Sequence, residues 1–307
     1  MTGSASQRIL LLPERRRFAG QPLSPAAATM LGRADRSDAA EPGEKAQLLR
    51  YFDLLPHGWP MAALTRQLDA GDAGSQAWLR ADPVHVRPDM TGVRLLAWGN
   101  LALESAEAES FLQALRPLFG DAGLPISAPM HERWYLQVAA GSVVPEFPTP
   151  AEGLGQDLLP MLPQGPDGRR WRALLNEAQV ILHNHPRNIQ RVSLGKLPVN
   201  SLWFWGFGML PQRVSTPLSQ VTSHDAELLA LAAAAGIPSA DAQAGSQLVD
   251  LRDERRWIAI ERDHLLASPR APMAGGLMLD FADGVSFRIR PDQRLRFWRR
   301  PLASLGG

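Results

Sequence analysis

Apolar residues in this chain fall into two patterns that exchange places several times: short unbroken runs, and longer stretches where they recur three and four apart. Ile9–Leu12 is fully apolar and predicts a short buried strand ahead of Pro13. A helical pattern follows around Pro25–Leu31, and the charged stretch Gly32–Lys45 reads as a loop. After Leu48–Leu55 and the turn His57-Gly58-Trp59-Pro60, a second helix is predicted over Met61–Leu68. Val84-His85-Val86 and Val93–Trp98 then flank Pro88-Asp89-Met90-Thr91-Gly92 as the arms of a hairpin.

Ser105 is expected to cap the next helix, whose first turn carries Glu107 and Glu109, where the macrodipole favours acids. Phe111, Leu112, Leu115, Leu118 and Phe119 line one face of it. Arg133–Val138 reads as a returning strand, which makes an α+β unit of this stretch. Six prolines and five glycines between Gly141 and Gly168 disfavour regular structure and predict a long connection. Trp171, Leu174, Leu175, Ala178, Ile181 and Leu182 then repeat at helical spacing. That helix must end near His185, because the residue before Pro186 is pushed out of the α region.

Ser201–Trp205 is a near-continuous apolar run, as expected of a strand covered on both faces. Ala226–Ala235 follows as a helix with Ser223 as its expected cap. Asp283-Gly284 between Leu277–Phe281 and Val285–Ile289 is a hairpin signal. Strands alternating with helices at both ends predict an α/β fold. The expected division is a core of residues 1–79 and 169–307, an inserted α+β unit over 80–140, and a connection over 141–168.

Composition narrows the function classes. The formal charge of +1 gives no global reason to expect nucleic acid or an anionic membrane as partner. No cysteine is present, which removes disulfides, thiolate chemistry and Cys-ligated metals together and fits a reducing compartment. Neither Ile9–Leu12 nor the small-residue stretch Ala226–Gly236 has the length of a signal or membrane segment, so a cytoplasmic protein is expected.

The densest cluster of polar and special residues lies between Ile181 and Gly208. It holds His183, His185, Arg187, Asn188, Arg191, Lys196 and Asn200, followed by Trp203-Phe204-Trp205-Gly206-Phe207-Gly208. In an α/β sheet, ligands bind beyond the carboxyl ends of strands, where Gly206 and Gly208 would let a backbone approach closely. Arg187, Arg191 and Lys196 are candidates to hold a phosphate or carboxylate by charge-assisted bonds. The competing readings are that these are surface charges, that His183 and His185 suit a helix C-terminus, and that Trp203 and Trp205 are core.

This order of residues resembles the archaeal-type cofactor-independent phosphoglycerate mutases. Over nearly the whole chain it is more similar to the RpfE-type regulatory proteins. That second likeness rests on Leu11-Leu12-Pro13, Ala81-Asp82-Pro83-Val84-His85, Glu132-Arg133-Trp134-Tyr135-Leu136, Asn176-Glu177-Ala178-Gln179, Asn200–Gly206 and Arg296-Phe297-Trp298-Arg299-Arg300. The mutase likeness implies an alkaline-phosphatase-like core with an insertion, two metal ions held by Asp and His, and a serine or threonine phosphoryl carrier. The regulator likeness implies a bacterial role beside a diffusible-signal system controlling pathogenicity factors.

Several of the mutases' features are missing from this sequence. The first strand ends in Pro13-Glu14 where those mutases carry Asp-Gly, and their closing Asp-His-Ser/Thr motif is absent. Losing several ligands abolishes two-metal chemistry. Asp82 with His85, Ser223-His224-Asp225, Glu261 with Asp263 and His264, and His131-Glu132 read more simply as structural or solvated groups.

The expectation is therefore a pseudoenzyme: a regulatory or ligand-binding protein with no assigned catalytic residue, metal or cofactor. Its expected partners are a small phosphorylated or carboxylate ligand and a regulatory protein. The alternative is an active metal-dependent phosphomutase or phosphatase. A third reading is a nucleic-acid-associated regulator using the basic, aromatic tail Ser286–Arg300. Against it, alternation would turn Phe287, Ile289, Leu295 and Phe297 to a core and the arginines to water.

Overall fold

The computed structural model describes residues 6–90, 92–237, 245–266 and 275–306. The chain divides into two compact units, one made of residues 1–56 and 213–307 and the other of 57–212. In chain order the first unit begins with β1 (Arg8–Leu12), α1 (Pro25–Arg33), β2 (Asp35–Ser37), α2 (Glu44–Leu49) and β3 (Asp53–Leu55). The inserted unit contains α3 (Met61–Ala70), β4 (Ala77–Pro88), β5 (Val93–Trp98), α4 (Ser105–Asp121), β6 (Ile126–Met130) and β7 (Arg133–Val138). It continues through α5 (Pro150–Gly153), α6 (Leu158–Met161), α7 (Gly165–His183), α8 (Pro186–Ser193) and β8 (Ser201–Gly208). The first unit resumes with β9 (Arg213–Ser215), β10 (Leu218–Thr222), α9 (Ala226–Ala234), β11 (Ser246–Asp250), α10 (Trp257–Ile260), β12 (Leu277–Phe281) and β13 (Ser286–Ile289).

The first unit is α/β. Its sheet runs β10-β11-β1-β12-β13-β2, with the first four strands parallel and β13 and β2 antiparallel at one edge. β1 lies inside this sheet, so both of its faces need cover and its run is unbroken: Ile9, Leu10, Leu11 and Leu12 are all buried. Leu10 and Leu12 share one face and pack in a core with Phe18, Trp257, Leu279 and Phe281. Each such side chain contributes about 1.5–3 kcal/mol through burial. β3 and β9 form a separate antiparallel ribbon just where the chain leaves for and returns from the insertion.

The inserted unit is built on β4, which pairs antiparallel with β5, β7 and β8. Alternation along β8 sends Phe204 against Phe119, Phe147 and Trp171, while Trp205 meets Trp98. On one face of β4 Arg80 and Asp82 form a buried fork-to-fork pair at 2.8 Å, and the indoles of Trp98 and Trp205 both donate to Asp82 Oδ2.

Most predicted elements are present, and five expectations are corrected. The insertion spans 57–212 rather than 80–140, because β8 pairs with β4 instead of joining the parallel sheet. The stretch 141–168 contains α5, α6 and the start of α7, each with proline in or just after its first turn or a side-chain cap. Residues 32–45 include β2 and the start of α2. Two caps shift: Glu104 precedes α4, and Asp225 rather than Ser223 caps α9, its Oδ1 accepting from the Leu228 N–H at 2.8 Å.

Candidate functional site

Parallel strands bring their carboxyl ends to one edge of a sheet, and in the first unit that edge carries a charged cluster. β11 ends at Asp250, and Arg252 follows two residues later. The Arg252 guanidinium donates to both oxygens of Asp250 at 2.8 Å. Its Nη2 also lies 3.1 Å from Asp225, beyond the end of β10, and its Nη1 lies 3.5 Å from Glu44 at the start of α2. Ser223 Oγ donates to Asp250 Oδ2 at 2.7 Å, and Arg17 Nη1 donates to the Arg252 carbonyl at 3.0 Å.

Arg252 and Asp250 are both buried, so their charges are held by each other more than by water. Burial opposes ionisation of Asp250, but the bonds from Arg252 and Ser223 outweigh it and hold the carboxyl below its usual range. Burial likewise works against the guanidinium, and Asp250, Asp225 and Glu44 more than offset it. One organic cation thus sits among three carboxylates at the place where an α/β sheet presents its chemistry.

The candidate residues of 181–208 lie in the inserted unit and are mostly committed to backbone. Arg191 is fully buried: its Nε donates to the Leu197 carbonyl at 2.9 Å, Nη1 to Glu107 at 2.9 Å and Nη2 to the Leu101 carbonyl at 2.5 Å. Asn188 ties the carbonyls of Leu182 and Val199 and accepts from the Val199 N–H. Asn200 accepts from the Val86 N–H and donates to the Val86 carbonyl, both at 2.8 Å. Lys196 Nζ is 2.8 Å from Glu104 and 3.6 Å from Glu107, and Arg187 donates to Gln190.

His185 is the N-cap of α8 rather than a helix C-terminal residue. Its Nδ1 accepts from the Arg187 N–H at 3.2 Å and its Nε2 faces the Ser110 carbonyl at 3.2 Å, which suits the neutral ring with the proton on Nε2. Burial lowers its pKa accordingly. His183 is the exposed last residue of α7. Gly206 and Gly208 stand on an antiparallel strand, not at the mouth of a parallel sheet. Their missing side chains make room for Met61, Ala62 and Pro60.

A solvent-open cleft of about 410 Å³ also lies in the first unit, between Leu49–Asp53 and Ser215–Pro217. Behind its wall Tyr51 donates to the fully buried Asp280 at 2.5 Å, and Arg50 pairs with the same carboxylate. Burial raises the pKa of Asp280 in spite of these partners.

No family model matches the chain. A Geobacter sulfurreducens protein named "Probable 2,3-bisphosphoglycerate-independent phosphoglycerate mutase" is 26% identical over 179 residues, covering 57% of this chain and 44% of that protein. A 2,3-bisphosphoglycerate-independent phosphoglycerate mutase of Methanosarcina acetivorans is 45% identical over 51 residues, 17% of this chain and 13% of its own. That of Methanosarcina mazei is 39% identical over 67 residues, 22% and 17% respectively. This chain is a distant relative of these mutases. The matched regions span less than half the length of each of these relatives. The cofactor-independent phosphoglycerate mutase of Thermoplasma acidophilum superposes over 93% of this chain and 89% of its own, with 15% identity and a TM-score of 0.39, too loose a likeness to add weight.

The metal pair implied by the mutase likeness does not fit the described donors of this chain. Among the described residues no group of three or more His, Asp or Glu is placed to hold a metal ion. Beyond β1, Glu14 pairs with Arg16, while Asp250 at the end of β11, Asp225 after β10 and Glu44 at the start of α2 are turned to Arg252. The cluster escaped the sequence reading because its members are far apart in the chain. A local signal existed in Leu248-Val249-Asp250-Leu251-Arg252, whose period of two puts Asp250 and Arg252 on one side. Among the described residues, no helix is long and apolar enough to cross a membrane.

Proposed function

We propose that this chain is a non-catalytic regulatory or ligand-binding protein on a phosphoglycerate-mutase-like, alkaline-phosphatase-type scaffold. The observation that carries the reading is the Arg252 guanidinium among Asp250, Asp225 and Glu44. Two-metal phosphoryl transfer needs carboxylates free to clamp ions on the attacking and leaving oxygens. Here the most buried of them is already neutralised by a fixed side-chain cation. The ligand is a small phosphorylated or carboxylic acid, and the first unit offers it a cleft of about 410 Å³ with Arg50 on its wall. The recipient of the signal is a partner protein, in keeping with the likeness to RpfE-type regulators of pathogenicity factors.

The test is an assay of purified chain with 3-phosphoglycerate and excess Mn²⁺ or Zn²⁺, reading 2-phosphoglycerate through a coupled enolase. The expected rate equals that of the protein-free blank. Turnover above the blank would establish the alternative, an active metal-dependent phosphomutase.

A further inference from the structure

The C-terminal segment departs from its expected arrangement in a way that gives it a surface of its own. Alternation predicted Phe287, Ile289, Leu295 and Phe297 against a core. Phe287 is buried, but Leu295 is 68% exposed, Phe297 81% and Trp298 68%. The reason is local: β13 ends at Ile289, and Pro291, lacking an N–H, opens a 3-10 turn over Pro291–Leu295 that breaks the period of two.

The exposed rings do not sit on a loose tail. Arg296 and Arg290 both pair with Asp35, at 2.5 and 2.8 Å, and Gln293 donates to the same carboxylate at 3.0 Å. Arg33 Nη1 donates to the Arg294 carbonyl and Arg299 Nη1 to the Ala34 carbonyl, each at 2.8 Å. The segment is therefore pinned to α1 and β2. On it Phe297 and Trp298 stand edge to face with centroids 5.4 Å apart.

Charge is segregated around this pair. Residues 288–300 hold six arginines against Asp292, and with Asp35, which two of them grip, the surface carries a net +4 while the whole chain carries only +1, so the remainder carries −3. The near-neutral total hides a basic patch. Two copies meeting symmetrically through it would oppose like charges, which disfavours a self-complementary dimer here. A phosphodiester strand supplies both anions for the guanidinium forks and, in every nucleotide, a π-face for the rings, whereas carboxylate side chains supply the anion alone.

We infer that the Leu295–Arg300 surface binds single-stranded nucleic acid, with Phe297 and Trp298 as stacking platforms and Arg294, Arg299 and Arg300 on the phosphates. This surface stands apart from the Arg252 cluster, and its test is independent of the proposed function. Full-length chain is titrated into a fluorescein-labelled oligothymidylate of about twelve nucleotides, followed by anisotropy from about 50 mM salt upward. Binding that weakens steeply with salt is expected. Trp298→Ala should loosen it roughly 5- to 150-fold, and Arg300→Gln should reduce the slope of log affinity against log salt by about 0.7.

Both side chains are exposed, so circular dichroism should be unchanged in these variants. Absence of binding at low salt overturns the inference, as does binding that Trp298→Ala leaves intact. Equal displacement of the oligonucleotide by polyglutamate points to an acidic protein partner and also overturns it. So does self-association in sedimentation that Trp298→Ala abolishes, which would assign the surface to a second copy.

Discussion

Arg252 grips both carboxylate oxygens of Asp250 at 2.8 Å, and the same guanidinium reaches Asp225 at 3.1 Å. Removing one partner of a buried pair leaves the other charged and unsolvated. Arg252→Ala is expected to destabilise the first unit by about 3–5 kcal/mol, read from urea denaturation. Arg252→Lys should recover only part of this, because an ammonium cannot reproduce the two parallel bonds.

The same pair sets a pH dependence. The folded-state pKa of Asp250 is held below its ordinary value, chiefly by Arg252 against the opposing effect of burial. A lowered carboxyl stabilises the fold above its unfolded pKa, and that stability is lost as pH falls through the folded value. Denaturation midpoints measured from about pH 5 down to 2 should therefore fall. In Asp250→Asn they should start lower and fall less. Parallel curves for the two proteins would remove Asp250 from the account.

Arg191 distinguishes a structural from a ligand-holding role for the segment 181–208. It is fully buried, with bonds to two backbone carbonyls and to Glu107. Arg191→Ala should cost about 3–5 kcal/mol by stranding these groups. The loss should be the same with or without 3-phosphoglycerate. A loss that this ligand deepened would return the residue to a binding site.

Gly206 adopts φ of +68°, and a Cβ there would stand 3.2 Å from the Ala62 nitrogen and Met61 Cβ. Gly206→Ala should cost about 1–2 kcal/mol from the left-handed backbone alone, with crowding in addition. Thermal unfolding followed by circular dichroism reads it. An unchanged Tm would mean that β8 and α3 give way without penalty.

How much of this was legible in the sequence follows from how local each feature is. β1, α3, β5, β7, β8 and the β12–β13 hairpin were readable because each depends on its own periodicity or turn. The extent of the insertion was not, because it turns on β4 pairing with β8 more than a hundred residues later. Asn188, Arg191 and Asn200 stood out in the sequence because the chain needs them. Their need is to fasten backbone, which residue type alone does not separate from binding a ligand. Asp225 took the cap expected of Ser223 because the Ser223 hydroxyl, donating to Asp250, accepts from the Asp225 N–H, one residue short of the helix. Phe297 misled for the opposite reason: its periodicity was real up to Ile289 and was ended by Pro291.

In the first unit the Arg252 guanidinium, rather than a metal pair, gathers Asp250, Asp225 and Glu44. Titrating purified chain with Mn²⁺ and reading the free ion by electron paramagnetic resonance tests it most directly. The expected free-ion signal rises as it does in buffer alone. Uptake of about two ions per chain, the stoichiometry of a two-metal clamp, would contradict it.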